Sequence, residues 1–272
     1  MVKKTQLLPL VNVVLSGSGT RYPMHVGALE AITQRFRINA IAGVSGGAIV
    51  AGLYASSLDI EHTRDVVLST LPGPAKLIDE RCIFSFLRSR GKRGLIKGNK
   101  LLSSFENEMV HTFEDTQIPL SVYATDIYTR SEKIWDSVNT PEYSIARAVR
   151  ASMSYPFVFD PVVEGKHFYW DGGLLNNLPA DAFKGSEYPT IAIYISSQTQ
   201  FKEVRSWKDS ITFLIDTVLE GFVKEDIEDM DGVVIEVPSK GKVFNFKMKA
   251  NDARILMEHG YNNVARDLTY IT

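Results

Sequence analysis

Ser45 lies in the stretch GVSGG (43–47), which matches the G-x-S-x-G pattern of serine nucleophiles. The apolar run INAIAG (38–43) predicts a strand before it, and the small-residue run AIVAGLYASS predicts a helix after it. Gly43 and Gly47 permit a sharp strand-to-helix turn, which exposes the serine oxygen at a helix N-terminus, where the dipole favours a developing negative charge. The motif and its setting therefore predict that Ser45 is a nucleophile.

The stretch VVLSGSGTRYP (13–23) is an apolar run that breaks into glycines and then a cation. It fits neither common nucleotide-binding motif, because Tyr22 occupies the last glycine position of G-x-G-x-x-G and the G-x-x-x-x-G-K-[ST] pattern is absent. What remains is a turn in which Gly17 and Gly19 let backbone N–H groups converge next to Arg21. Such a turn binds a phosphate or an oxyanion, and the G-x-S-x-G motif favours the oxyanion.

A serine nucleophile requires a base, and the chain offers two candidates. The Ser, Asp or Glu, His order of the α/β-hydrolases requires His259, which lies in a helical pattern typical of a surface or packing residue. Asp171 lies in YWDGG (169–173), where aromatic residues indicate a buried strand end and the glycines allow close approach of another loop. Asp171 is therefore the stronger candidate base, although spacing alone slightly favours a solvated Asp-Gly turn at that position.

Taken together, these motifs resemble those of the patatin-like phospholipase family. The resemblance rests on the glycine loop 17–21, the elbow 43–47, the Asp-Gly-Gly motif 171–173 and the segment ASMSYP (151–156), in the family's order. It extends from residue 10 to about residue 180, and more weakly to the C-terminal helix. It implies an α/β fold and hydrolysis of acyl esters in lipids by a Ser-Asp dyad, with no cofactor and no metal.

The resemblance gives each matched residue a role. Ser45 becomes the nucleophile and Asp171 the base, while Gly172 and Gly173 complete the Asp-Gly-Gly motif. The backbone N–H groups of the glycine loop become the oxyanion hole, supported by a basic side chain. The residues of this hole are Gly17, Ser18, Gly19 and Arg21.

The glycine loop departs from the family at two places. Ser18 replaces the middle one of three glycines, and Tyr22-Pro23 follows the basic residue where the family has glycine. A negative φ at Ser18 would preserve its backbone donor, whereas a positive φ would strain the loop. The altered loop also motivates an alternative function, that of a lipid- or anion-binding module without catalysis.

Strands and helices alternate along the chain, which predicts a parallel sheet with right-handed crossovers. We expect a three-layer α/β/α fold with a mostly parallel central sheet, in a single patatin-like domain over residues 1–272. The predicted strands are 10–16, 38–43, 119–127, 132–136, 190–196 and 233–237. The predicted helices are 24–36, 48–57, 60–71, 101–113, 141–152, 207–229 and 251–268.

Composition limits the class of protein. A net charge of -2 argues against a nucleic-acid partner. The single cysteine, Cys82, excludes an internal disulfide and is compatible with a reducing compartment, so we expect a cytoplasmic protein. Pro9 and Asn12 interrupt the apolar N-terminal stretch, which favours a first strand over a signal peptide. No apolar run reaches the roughly 18 residues of a transmembrane helix.

Two segments bear on membrane contact. The stretch 81–100 mixes Arg and Lys with large apolar side chains and contains no acidic residue. It suits peripheral docking on anionic phospholipid, and a solvated surface loop is an equal alternative. The predicted helix 207–229 has a broad apolar face, which favours a core position over a membrane contact. The sequence gives no indication of the oligomeric state.

Overall fold

The structure, a computed structural model, describes residues 8–69, 94–198, 230–239 and 243–270, together with Thr217, Val223 and Ile227. Its strands are β1 Leu10–Leu15, β2 Arg37–Val44, β3 Gly94–Ile96, β4 Leu120–Asp126, β5 Ser131–Asp136, β6 Phe157–Phe159, β7 Val162–Glu164, β8 His167–Asp171, β9 Thr190–Ser197 and β10 Gly232–Ser239. Its α-helices are α1 Pro23–Thr33, α2 Gly46–Ser57, α3 Ile60–Ser69, α4 Asn99–Glu108, α5 Ile145–Ser152 and α6 Ala250–Asp267.

The described strands form one large sheet in the order β10-β9-β1-β2-β4-β8-β7, with β5 also paired to β4. Neighbouring strands are parallel from β10 to β4, whereas β5 and β8 run antiparallel to β4. A separate parallel pairing joins β3 and β6. Because parallel strands end at the same edge of a sheet, the loops after β1 and β2 lie next to each other.

Both faces of the sheet are buried, as the Val- and Ile-rich strands require. Along β1, Val13 and Leu15 belong to a large apolar cluster together with residues of each α-helix in the described part of the chain. Val14, which points to the opposite face, belongs to a second cluster with Leu178 and Val223. The central sheet and its flanking helices confirm the predicted α/β class with a mostly parallel sheet.

Several predicted boundaries were wrong. The helix predicted over 141–152 begins at Ile145, because the Ser144 side chain accepts a hydrogen bond from the Arg147 N–H and so caps the helix there. The helix predicted to end at residue 36 ends at Thr33. The helix predicted over 101–113 is α4, which ends at Glu108 because Met109 is extended.

Two predictions fall largely outside the described residues. Residues 81–93 of the basic stretch are not among them, and neither is most of the predicted helix 207–229. Within that helix, Val223 is buried and both Thr217 and Ile227 are exposed. In the part of the chain that the structure describes, no helix has the length and apolar character to cross a membrane.

Candidate active site

The register of β4 explains how two motifs distant in sequence come together. The first half of β4 pairs with β2, so that Tyr123 lies opposite Val44. The second half pairs with β8, so that Ala124 lies opposite Asp171. The ends of β2 and β8 therefore meet at adjacent positions of one strand. Ser45, the residue after β2, is thereby brought to Asp171.

The backbone at Ser45 forms a strained elbow between β2 and α2. Ser45 has φ 51° and ψ -118°, a backbone conformation that residues with a side chain rarely adopt. A Cβ on Gly43 would lie 2.7 Å from the Gly47 backbone, and a Cβ on Gly47 would collide with the backbone of Leu15 and Ser16. In this structure both positions therefore leave no room for a side chain.

Ser45 and Asp171 are hydrogen-bonded to each other. The Ser45 hydroxyl donates to Asp171 Oδ2 at 2.6 Å, and the Gly173 N–H donates to Asp171 Oδ1 at 2.9 Å. Asp171 is 3% exposed. Burial raises the pKa of Asp171 to about 6, although the hydrogen bonds from Ser45 and Gly173 oppose this rise. A carboxylate with such a pKa is suited to accept a proton at neutral pH.

The glycine loop lies against this pair. Ser18 has φ -147°, so its replacement of glycine causes no backbone strain, whereas Gly19 has φ +57°. The Gly17 N–H donates to the Asn177 carbonyl at 2.9 Å. Within the described residues, neither the Ser18 N–H nor the Gly19 N–H has a hydrogen-bond acceptor. These two groups are thus the ones available to an anion.

The predicted supporting cation lies inside the loop. Arg21 is 5% exposed. Its Nε donates to the Ser18 carbonyl at 3.1 Å, and its guanidinium donates to Ser197 Oγ at 2.8 Å. These bonds tie the loop to the end of β9.

A buried histidine binds the backbone directly before the glycine loop. His25 is fully buried on α1, and its Nε2 lies 2.9 Å from the Ser16 carbonyl. Because a carbonyl only accepts, Nε2 carries the proton. Burial lowers the pKa of His25 to about 3, although the bond to Ser16 opposes this and nearby Arg21 adds to it. His25 is therefore a neutral positioning group.

Sequence reasoning missed two supporting residues. Ser152 Oγ accepts the Ser45 N–H at 2.8 Å and donates to the Tyr123 carbonyl at 2.5 Å, which fixes the elbow to β4. Asn177 holds Gly17, as described above. Both signals were present in the sequence, because Ser152 lies in the segment ASMSYP and Asn177 follows the Asp-Gly-Gly motif.

The cavity above Ser45 has a polar and an apolar part. The polar part contains the glycine loop, Arg21, Asn177 and Ser197, and it is also lined by apolar side chains, those of Ile195, Val243 and Phe244. The apolar part is lined by aliphatic, aromatic and thioether side chains. These are Ile49, Leu101, Met153, Phe159, Phe244, Phe246 and Met248. Ser45, Asp171 and Tyr155 line both parts, so the reactive hydroxyl lies where they join.

His259, the alternative base, does not line this cavity. It is exposed on α6, and its Nε2 lies 2.8 Å from the Pro238 carbonyl. Among the described residues, no group of three or more His, Cys, Asp or Glu side chains is arranged to hold a metal ion.

The fold and the cavity identify a class of α/β protein with a serine elbow after one strand and a buried aspartate at the end of another. Residues 13–184, more than half of the chain, match the family described as Patatin-like phospholipase. The chain belongs to this family.

Two curated relatives and one solved structure are similar to the chain. An uncharacterized protein of Acanthamoeba polyphaga mimivirus is 28% identical over 209 residues, which are 73% of this chain and 69% of the relative. Patatin-like phospholipase domain-containing protein 6 of Mus musculus is 25% identical over 206 residues, which are 74% of this chain but only 14% of that protein. The structure of VipD from Legionella pneumophila has a TM-score of 0.58 at 14% identity, covering 99% of this chain and 72% of VipD. The structural likeness shows the shared fold.

Proposed function

We propose that the protein is a serine acyl hydrolase of the phospholipase A or lysophospholipase type. The observation that carries the proposal is the 2.6 Å hydrogen bond from the Ser45 hydroxyl to the buried Asp171 carboxylate. Membership of the patatin-like phospholipase family supports an acyl ester of a lipid as the substrate.

In the proposed reaction, Ser45 Oγ attacks the ester carbonyl carbon while its proton passes to Asp171. The carbonyl electron pair moves to the oxygen, and the N–H groups of Ser18 and Gly19 stabilise the resulting oxyanion. When the carbonyl re-forms, the bond to the leaving alkoxide breaks, and that oxygen takes the proton from Asp171. Water then attacks the acyl-enzyme in the same way and releases the fatty acid and free Ser45.

The apolar part of the cavity is the proposed site of the acyl chain. Tyr155 and Phe244 pack edge to face with ring centroids 4.5 Å apart, and Phe244 stacks on Phe246 at 5.9 Å. Burying methylene groups against such a wall is worth about 0.8 kcal/mol each. The polar part, which contains Arg21, is left for the headgroup side of the ester.

A lipid- or anion-binding module without catalysis is the rival function. The unstrained φ of Ser18 removes the main reason for it, since the altered loop keeps its backbone donor. The raised pKa of Asp171 also favours a proton acceptor over a merely structural carboxylate. Covalent labelling by a fluorophosphonate distinguishes the two, because a binding module leaves the probe unreacted.

The decisive experiment measures hydrolysis of phospholipid liposomes and of a soluble short-chain ester by the protein and its variants. We expect Ser45→Ala and Asp171→Asn to lose activity on both substrates, the latter by about 10²–10⁴-fold as for loss of a general base. Asp126→Asn is a matched control, because Asp126 is also a buried, hydrogen-bonded carboxylate but does not line the cavity. Full activity of Ser45→Ala would overturn the proposal. If Ser45→Ala loses activity and Asp171→Asn keeps it, a residue other than Asp171 is the base.

Peripheral docking at a membrane is a further part of the proposal. It rests on the basic and apolar sequence of 81–100 and on the lipid substrates of the family. Replacing Arg88, Arg90, Lys92 and Arg93 together by serine is expected to lower binding to anionic liposomes, while hydrolysis of the soluble ester stays unchanged. Unchanged liposome binding would remove this stretch as the docking surface.

A further inference from the structure

Among the first three residues of the glycine loop, 17–19, Ser18 is the one that has a side chain, and that side chain is buried. Ser18 is 3% exposed. A Cβ on Gly17 would collide with the Asn177 side chain, and a Cβ on Gly19 would collide with the Val243 carbonyl. A side chain is therefore accommodated at position 18 and at neither neighbour.

The Ser18 hydroxyl faces the serine elbow. A Cβ on Gly46 would collide with Ser18 Oγ, so this oxygen lies against the residue that directly follows Ser45. Ser18 also lines the polar part of the cavity with Ser45 and Asp171. Among the described residues, Ser18 Oγ has no hydrogen-bond partner.

A buried hydroxyl without a partner is rare in folded proteins, because its desolvation is uncompensated. In the structure the Ser18 oxygen is sealed off by its neighbours, so the compensation can come from a bound ligand once the side chain turns about its Cα–Cβ bond towards the cavity that Ser18 lines. The oxygen lies beside the N-terminus of α2 and next to two backbone N–H groups that have no acceptor among the described residues, and a negative charge is favoured there. A hydroxyl that donates to an oxyanion forms a short, charge-assisted bond.

The geometry points to the Ser18 side-chain hydroxyl as a third oxyanion donor, acting with the backbone N–H groups of Ser18 and Gly19. This inference rests on the proposed function. Ser18 keeps its own proton throughout: the electron pair of the substrate carbonyl moves to oxygen as the Ser45–carbon bond forms, and the Ser18 O–H donates to that oxygen. The hydrogen bond weakens when the carbonyl re-forms and the leaving alkoxide takes the proton from Asp171.

The test compares a ligand that forms an oxyanion with one that does not. A trifluoromethyl ketone with an alkyl chain adds to Ser45 and gives a tetrahedral oxyanion, whereas the matching trifluoromethyl carbinol has the same shape and forms no adduct. In Ser18→Ala and Ser18→Gly, we expect kcat on the soluble ester to fall about 10²-fold, as for the loss of one oxyanion donor. We expect the affinity for the ketone to fall by a similar factor and the affinity for the carbinol to stay within about twofold.

Ser196→Ala is the matched control, since Ser196 Oγ is also buried and has no partner in the described part of the chain, but Ser196 does not line the cavity. Thermal unfolding of all variants checks that each is folded.

Two results would overturn the inference while leaving the proposed function in place. One is a kcat of Ser18→Ala and Ser18→Gly within twofold of the unmodified protein, and the other is an equal loss of affinity for ketone and carbinol. The second result would show that the hydroxyl contributes only to packing or to ground-state binding. Failure of the unmodified protein to react with a fluorophosphonate at Ser45 would overturn both the inference and the proposed function.

Discussion

Replacing Asp171 by asparagine is expected to remove hydrolysis and, at neutral pH, to stabilise the fold. Asp171 is buried, and its pKa of about 6 lies above the ordinary 3.8 of an aspartate. The ionised form is therefore less favourable in the folded protein than in the unfolded chain. Asparagine has nearly the same shape, keeps an acceptor for the Gly173 N–H and carries no charge.

The sign and size follow from linkage between protonation and folding. A carboxyl whose pKa is raised by folding contributes stability that is fully present below the unfolded pKa and is lost as pH rises through the folded pKa. At 1.36 kcal/mol per pKa unit, the rise from 3.8 to about 6 corresponds to about 3 kcal/mol. The advantage of Asp171→Asn should thus be small near pH 4, grow until about pH 6 and stay level above it.

Chemical denaturation of both proteins at several values between about pH 4 and pH 9 measures this difference. Asp126→Asn is a control of opposite sign. Burial opposes ionisation of Asp126, but hydrogen bonds from His167, Thr129 and the Tyr128 N–H outweigh burial and hold its pKa below the usual value. That variant should lose stability, relative to the unmodified protein, as pH rises above the acidic range. A difference for Asp171→Asn that does not change with pH, or that shrinks as pH rises, would refute the reasoning.

Four further predictions concern the same site. The proposed base acts when it is ionised, so kcat/KM on the soluble ester should fall about tenfold per pH unit below the Asp171 pKa of about 6 and be level above it. A measured pH profile that stays level down to about pH 4 would contradict this. Gly47→Ala should lower the free energy of unfolding by about 1–3 kcal/mol in a denaturant titration and remove activity, because the new Cβ collides with the backbone of Leu15 and Ser16. An unchanged free energy of unfolding would count against the elbow geometry. Ser152→Ala leaves the buried Ser45 N–H unpaired, so the free energy of unfolding should fall by about 1–3 kcal/mol in the same titration, and kcat should fall at similar KM. An unchanged kcat would mean that the bond does not position the elbow. Phe244→Ala should raise KM for long-chain esters more than for short-chain esters, and an equal rise would place the acyl chain elsewhere.

The fold class and the strand-turn-helix setting of Ser45 were predictable because both depend on local sequence. G-x-S-x-G between an apolar strand and a small-residue helix restricts the backbone at Ser45 to a turn that its neighbouring glycines permit. The alternation of strands and helices predicted the parallel part of the sheet, β10 to β4. Helix ends were less predictable, since the start of α5 depends on one capping bond of Ser144.

The partner of Ser45 could not be settled from spacing. Asp171 reaches it only because β4 exchanges β2 for β8 as its neighbour between Tyr123 and Ala124, a change of pairing that no short motif encodes. The same holds for the glycine loop. That Gly17 donates to Asn177 depends on a contact between segments 160 residues apart in sequence, so the number of free N–H groups was visible only in the structure.

Two features of the site reduce stability by different physical means, and this difference makes them separable. The positive φ of Ser45 is strain in the backbone, and a Cβ at Gly43 or Gly47 would add to the cost because it would collide with neighbouring backbone. The raised pKa of Asp171 is the cost of a buried charge, which one neutral substitution of nearly the same shape relieves. Adding a side chain at Gly43 or Gly47 should therefore lower stability and activity together, whereas neutralising Asp171 should raise stability as it removes activity. A buried carboxylate kept only for packing would show no such opposition, because its neutral analogue would then stabilise the fold without loss of hydrolysis.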